Sequence, residues 1–243
     1  MRWYLFNTVE RFRFAMRYPR YVLSAAAREL TFADERFLAA LAGTRATQIR
    51  QFLHEPFNTP SFLAHLRNCE GVFRQGMVSA DLWAKKVLIQ YAAVRALMPE
   101  VVVETGVASG VSSAYLLLAL QRNEKGTLHS VEIGDPAYLP RDTHPGWIVP
   151  DWLRTRWRLH IGDVTSILPT LLRDLGEVDV FIHDSLHSYE HMRFEFELAY
   201  PFIKCGGSLL ADDALWNPAF AEFAKGVSSP ASRILHGVGL MKK

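Results

Sequence analysis

Four polar side chains are placed where they could do chemistry together: Asp184 and His187, within His183-Asp184-Ser185-Leu186-His187-Ser188-Tyr189-Glu190, and Asp212-Asp213, directly after the apolar run Ser208–Ala211. The run Val178–Ile182 ahead of His183 is apolar and β-branched, as a strand buried on both faces would be. If the two runs are neighbouring parallel strands, three carboxylates meet at one rim of the sheet. Left uncompensated they repel and raise one another's pKa. A divalent cation relieves that, and a set of oxygen ligands suits Mg²⁺, or Mn²⁺ in its place. The competing reading is that Asp184 and the Asp212-Asp213 pair cap the helices that follow them. His187, with an ordinary pKa of about 6.5, suits a general base near neutral pH; a capped surface histidine is the alternative. His183 points the other way along its strand and reads as packed. Trp216 either walls an acceptor pocket or belongs to the core.

A second group lies upstream, in VVVETGVASGVSSAYLLLAL from Val101 to Leu120. Val101, Val102 and Val103 read as a short buried strand. Glu104-Thr105-Gly106-Val107-Ala108-Ser109-Gly110 is a tight glycine turn, and Ser112 and Ser113 are candidate caps for the helix after it. Strand, glycine turn and helix N-terminus together bring a ligand against bare backbone and aim unpaired N–H groups at it. A nucleotide-type cofactor above the carboxyl end of the first strand follows from that order of parts. The dinucleotide pattern G-x-G-x-x-G is absent, since no glycine stands at position 108.

The pattern E-x-G-x-x-x-G, from Glu104 to Gly110, resembles the first motif of class I S-adenosylmethionine-dependent methyltransferases. In that family the loop holds the methionine and ribose parts of the cofactor. The resemblance implies cofactor contacts for Glu104, Gly106, Ala108, Gly110, Ser112 and Asp184. Glu132 ends the second strand where a carboxylate accepts from both ribose hydroxyls, or is a solvated acid. Asp163, after the third strand Trp157–Ile161, stands where the family contacts the adenine amino group, and also where the helix Val164–Leu175 needs an N-cap. Asp212 and Asp213 follow Asp184 by 28 and 29 residues, the ligand spacing of metal-dependent O-methyltransferases of the catechol type, which implies Asp184, Asp212 and Asp213 as the metal ligands. The catechol enzymes carry a lysine three residues after the first ligand. A histidine there, within D-x-x-H-x-Y-E, is similar to the macrolide-sugar O-methyltransferases and the related cephalosporin-hydroxylase-like branch. The resemblance runs from about residue 79 to 225.

The remaining chain sets the frame. It has 243 residues, 49% hydrophobic and 21% charged, as expected of a globular protein with a sizeable core. Its 27 basic and 25 acidic residues give a net charge of +2, too balanced to argue for a nucleic-acid partner. Two cysteines, Cys69 and Cys205, and the absence of a signal-like or membrane-length apolar run point to a cytoplasmic, reduced setting. Residues 1–78 read as a helical extension or cap and 79–243 as the methyltransferase domain. Leu5, Val9, Phe12 and Met16 put one apolar face on an N-terminal basic helix opposite Arg13 and Arg17. Such a helix packs on the domain or on a second subunit, or else lies on a membrane surface. Thr31 and Gly43 bracket a helix, with two more expected over Ala46–His54 and Ser61–Asn68. Ser79 caps a further helix with the stripe Trp83, Val87, Tyr91, Val94 and Met98, and the Gly76-Met77-Val78-Ser79 turn can reach the methionine end of a cofactor. Asp135–Trp152, rich in proline, is irregular and forms pocket wall. Tyr189, Met192, Phe196 and Ala199 form the buried stripe of the helix after the fourth strand, with Glu190, Arg193 and Glu197 facing out. The fold class is therefore α/β, a Rossmann-like, mostly parallel sheet with an N-terminal helical extension and a short last hairpin. The expected reaction is Mg²⁺-assisted transfer of a methyl group to a hydroxyl of a sugar or polyhydroxylated small molecule. The rivals are a metal-dependent hydrolase using His183, Asp184 and His187, a metal-independent small-molecule methyltransferase, a nicotinamide enzyme and a non-catalytic scaffold.

Overall fold

The computed structural model describes residues 32–73, 84–135, 137 and 139–243. The N-terminal basic helix, the Thr31 cap and the Gly76-Met77-Val78-Ser79 turn fall outside them. Three helices, α1 (Phe32–Ala42), α2 (Ala46–His54) and α3 (Pro60–Phe73), precede α4 (Lys85–Leu97). Gly43 closes α1 in the left-handed region at φ 66°, the conformation that favours glycine after a helix. The α4 helix begins later than Ser79 implies: Ala84 is its N-cap in an extended conformation. Its other end also differs, for Met98 is a left-handed cap and 44% exposed rather than part of the stripe. Val87, Tyr91 and Val94 are buried as the periodicity requires.

From there the chain alternates strand and helix: β1 (Val101–Thr105), α5 (Val111–Asn123), β2 (Thr127–Glu132), β3 (Trp157–Ile161), α6 (Val164–Leu175), β4 (Val178–His183), α7 (Tyr189–Ala199), β5 (Ile203–Ala211), α8 (Ala219–Gly226), β6 (Ser232–Leu235) and β7 (Val238–Lys242). The seven strands form one sheet in the order β3-β2-β1-β4-β5-β7-β6. The first five are parallel and β7 is antiparallel to both its neighbours. The expected last hairpin is present, with β7 inserted between β5 and β6. The fifth strand starts five residues before Ser208. Cys205-Gly206-Gly207 thus lies inside β5, where the register against β4 slips between Val178 and Val180.

Strand alternation feeds two cores. Val102, Leu128, Val180, Ile182, Leu210 and Leu240 face the helices α1 to α5. Val103, Val131, Phe181, Leu209 and Met241 face α6, α7 and α8. Leu38, Ile49, Phe62 and Leu66 of the first three helices are buried in the same core as α4 and α5, so the described part of the extension is packed on the sheet domain. No helix of the described residues is long and apolar enough to cross a membrane.

Register places the site. Thr105 pairs with His183, and His183 with Ala211, so β1, β4 and β5 end at one level. The next residues stay tied to that rim: Asp184 N–H donates to Thr105 O at 2.8 Å, and Asp212 N–H to His183 O at 2.8 Å. Asp184 and Asp212 therefore leave the sheet side by side.

Candidate active site

The glycine turn is shaped first by contacts within the chain. Gly106 has φ 81°, and a Cβ there would stand 2.0 Å from the carbonyl oxygen of Asp184. Gly110 has φ 88° and faces Gly146, whose Cα would be 2.7 Å from an added Cβ. Both glycines are required for backbone to pass backbone, a closer explanation than approach of a ligand. Ala108 between them is held in the left-handed region at φ 44°. Gly146 N–H donates to Ala108 O at 2.8 Å and Ile148 N–H to Ser109 O at 3.0 Å. The proline-rich segment thus knits to the turn, as a pocket wall would.

Glu104 lies inside β1, because the strand runs two residues past Val103. It is fully buried and accepts from Ser112 Oγ at 2.7 Å, Ser113 Oγ at 2.6 Å and Ser130 Oγ at 2.8 Å. Burial pushes its carboxyl up and the three hydroxyls pull it down, with burial dominant. This corrects one expectation. The cap of α5 is Gly110 without a side-chain bond, and the two serines instead hold Glu104. The Glu104 carboxylate and the Ser112 hydroxyl are engaged with each other and stiffen the base of the turn.

Glu132 sits at the opposite side of the turn. Its Oε2 accepts from Val107 N–H at 2.7 Å and Ala108 N–H at 2.8 Å, and its Oε1 from Gly134 N–H at 3.0 Å. The carboxylate is fixed by three amides and has lone pairs left for further donors. Ile133 and Ile161, beyond the ends of β2 and at the end of β3, are more than half exposed. Asp163 is exposed and caps α6, accepting from Thr165 N–H at 2.7 Å; that bond, with one from the Thr165 hydroxyl, holds its carboxyl below the usual range. The capping reading of Asp163 is realised, and one oxygen remains open to solvent.

On the other half of the rim, Asp184, His187 and Asp212 come together, with one donor atom of each within 4.8 Å of the others. His187 Nε2 is 3.7 Å from Asp184 Oδ1. Asp213, expected as the third ligand, is turned by a left-handed backbone at φ 48° and pairs with Lys86. The Lys86 ammonium also donates to Asp212 Oδ2 at 2.8 Å. Asp212 Oδ1 and His187 Nε2 are buried without a hydrogen-bond partner, an arrangement that costs free energy unless something binds there. Burial, then the charges of Asp212 and Glu104, push the Asp184 carboxyl well above its ordinary range. Burial and the nearby His183 push His187 down, so it is a neutral acceptor near pH 7. The surplus of carboxylates and the orphaned Asp212 Oδ1 fit a divalent cation, with His187 Nε2 beside it as an unpartnered acceptor. Trp216 is 70% exposed and its ring lies 5.2 Å from that of His187. Of its two readings the pocket wall survives and the core does not. Asn217 Nδ2 donates to His187 O at 3.0 Å and steadies that backbone.

Beneath this site lies a residue the sequence pattern passes over. Glu195 on α7 is fully buried and accepts from Thr105 Oγ1 at 2.6 Å, His183 Nδ1 at 2.8 Å, His191 Nε2 at 2.9 Å and the Ser185 hydroxyl. It ties β1, β4, the Asp184 loop and α7 to one point. Tyr189, assigned to the buried stripe, is exposed, while Glu195 stands on that stripe with Met192, Phe196 and Ala199. An acid at i+3 in an apolar stripe is the signal that was there to read. His183 is wholly buried with its Nδ1 on Glu195 and does not join the Asp184, His187 and Asp212 group, where the hydrolase reading needs it. Burial alone would push Glu195 up, but the His183 and His191 hydrogen bonds hold it down to about 2. A depressed carboxylate stabilises the fold above its unfolded pKa, near 4.5, and that contribution disappears as pH falls through 4.5 toward 2. The reciprocal part on His191, whose pKa is raised by Glu195, is present below about 6.5 and lost as pH rises beyond its folded value. Glu195→Gln is expected to destabilise by about 3 kcal/mol at pH 6 in urea titrations, with the difference from wild type shrinking below pH 4.5. A constant difference down to pH 2.5 would contradict the charged form of Glu195.

Residues 103–214 match a family model described as a methyltransferase domain. No curated protein matches the sequence significantly. Among solved structures, the SAH-bound methyltransferase PaMTH1 of Podospora anserina is 14% identical, with a TM-score of 0.52 over 74% of this chain and 86% of its own. An O-methyltransferase from Bacillus cereus in complex with SAH gives 12% identity and TM-score 0.52 over 75% and 91%. A TDP-rhamnose 3'-O-methyltransferase of calicheamicin biosynthesis gives 20% identity and TM-score 0.52 over 81% and 93%. At these identities the likeness is one of fold, and it agrees with the strand order, the glycine turn after β1 and the matched residues. The chain therefore has the Rossmann-like fold of these methyltransferases, and its residues 103–214 are similar to a methyltransferase domain.

Proposed function

We propose that the protein transfers a methyl group from S-adenosylmethionine to a hydroxyl of a small molecule, a sugar or polyhydroxylated natural product, with a divalent cation and with His187 as the base. The observation that carries this reading is the meeting of Asp184, His187 and Asp212 at the rim, with Asp212 Oδ1 and His187 Nε2 buried and unpartnered. Glu132, fixed by three amides, is the group to accept from a ribose; Ile133 and Ile161 offer apolar cover for a flat base, and Asp163 a free carboxylate oxygen. Bound there, S-adenosylmethionine supplies an electrophilic methyl group on sulfur. Displacement at that carbon is in line, so much of the rate comes from holding the acceptor in place. A divalent cation would be held by Asp184 and Asp212, joined by Asp213 once that carboxylate leaves Lys86, and would supply Lewis acidity that lowers the pKa of the acceptor hydroxyl and favours vicinal oxygens. His187 accepts the hydroxyl proton at Nε2. Trp216 gives the acceptor an apolar surface beside that base. The sugar methyltransferase among the similar structures is in keeping with such an acceptor.

One observation favours a second reading. Lys86 already neutralises part of the acidic group, as a transferase without a metal would need. Calorimetric titration of Mg²⁺ into protein saturated with S-adenosylhomocysteine separates the two. Saturable binding that Asp184→Asn loses by at least about 10-fold, the usual cost of removing a ligand or its support, is the expected result. Cofactor binding with no Mg²⁺ heat selects the metal-free transferase. Failure of the cofactor itself to bind rejects the methyltransferase reading of the Gly106–Glu132 half.

A further inference from the structure

We propose that Lys86 is a tethered competitor of the divalent cation, its ammonium holding Asp212 and Asp213 until a metal takes those carboxylates over. The inference rests on the metal reading above and names the protein group that the metal must displace.

Lys86 and Lys85 put two cations into the first turn of α4, where no acid stands. The helix dipole disfavours positive charge at that end, so helix stability does not account for a lysine there. Its side chain instead reaches a partner 126 residues away, donating to Asp212 Oδ2 at 2.8 Å and bridging to Asp213. The ion pair is sheltered: the Lys86 side chain is 32% exposed, those of Asp212 and Asp213 11% and 19%. Asp212 is thereby divided. One oxygen belongs to Lys86; the other, Oδ1, is buried and unpartnered, in the residue that groups with Asp184 and His187.

Charge makes the conflict definite. Asp184, Asp212 and Asp213 bring three negative charges and Lys86 returns one, so the rim keeps the surplus that attracts a divalent ion. Yet two of the three carboxylates are engaged by the ammonium, and a hard cation needs their oxygens directly. Two cations that require the same oxygens weaken each other's hold by one factor, in both directions. Loss of the lysine charge tightens the metal, and arrival of the metal frees the amine.

Both directions are measurable without turnover. Mn²⁺ binding is followed by the paramagnetic resonance signal of the free aquo ion, for wild type, Lys86→Gln, Lys86→Arg and Asp184→Asn. The expected result is roughly 10-fold tighter Mn²⁺ binding in Lys86→Gln, with Lys86→Arg no tighter than wild type because its fork still clasps both carboxylates. In wild type, acylation of Lys86 by acetic anhydride, read by peptide mass spectrometry, should speed up about fivefold or more when Mg²⁺ is added. If wild type binds Mn²⁺ and Asp184→Asn does not, while Lys86→Gln binds it no tighter, the metal reading stands and the competitor is overturned. If neither wild type nor Lys86→Gln binds Mn²⁺, the metal reading falls and this inference with it. Should Lys86→Gln fail to fold, an acylation rate that Mg²⁺ leaves unchanged overturns the proposal by itself.

Discussion

Gly106→Ala is expected to lower stability by about 3 kcal/mol or more and to weaken S-adenosylhomocysteine binding by about 100-fold. Two costs add. An alanine at φ 81° gives up about 1–2 kcal/mol in the left-handed region. Its Cβ would also stand 2.0 Å from the Asp184 carbonyl oxygen and 2.8 Å from Ser185 N, atoms that are backbone and cannot swing away. The turn must therefore part from the β4 loop, and that loop carries Asp184 while the turn carries the amides that hold Glu132. Displacement of a binding element by about 1 Å commonly costs two orders of magnitude. For a chain of this length the stability loss corresponds to a drop in melting temperature on the order of 10 °C. Thermal melts with and without S-adenosylhomocysteine check both parts; a variant with wild-type melting and affinity would mean that the close approach of Gly106 and Asp184 is not present in solution.

His187→Ala is expected to reduce kcat by about 10² to 10⁴-fold, the usual range for a positioned base, while leaving S-adenosylhomocysteine affinity within about twofold. The separation follows from place: His187 belongs to the β4–β5 half of the rim and Glu132 to the β1–β2 half. The wild-type rate should rise with pH through a value below the ordinary histidine pKa of about 6.5, because burial and His183 disfavour the protonated ring, and stay level above it. Rate profiles of kcat from pH 5 to 8, on any accepted diol substrate, test this. A profile still rising at pH 8, or a variant with undiminished kcat, would remove His187 from the role of base.

Most of the sheet was legible because the parallel strands are short apolar runs bounded by glycine or acid. Glu132 at the end of β2, the strand Trp157–Ile161 and the helix Val164–Leu175 stand where pattern put them. What pattern missed has one physical origin, the satisfaction of buried polar groups by partners far away in sequence. Ser112 and Ser113 look like caps locally, but a buried acid in β1 claims their hydroxyls. Glu195 looks like one more charge on an amphipathic helix, yet it is the acceptor for four side chains from separate elements. Lys86 carries no motif, and only folding brings α4 to the end of β5. Asp184, His187 and Asp212 were legible because strand ends deliver them whatever the helices do. Asp213 was delivered to the same rim by its strand end and by spacing, but a left-handed backbone turns it toward a lysine.

The pairing of Gly110 with Gly146, reinforced by the bonds from Gly146 and Ile148 to Ala108 and Ser109, bears on how such enzymes can be recombined. A chimaera that takes the β1–α5 turn from one parent and the segment between β2 and β3 from another breaks a fit in which glycine main chain meets glycine main chain. Side-chain repacking cannot restore it, since the two glycines meet through main chain and the Trp157 ring closes over Gly146. The two stretches, separate in sequence, should therefore be inherited as a single cassette when domains of this type are shuffled, and crossovers placed between them should be depleted among folded progeny.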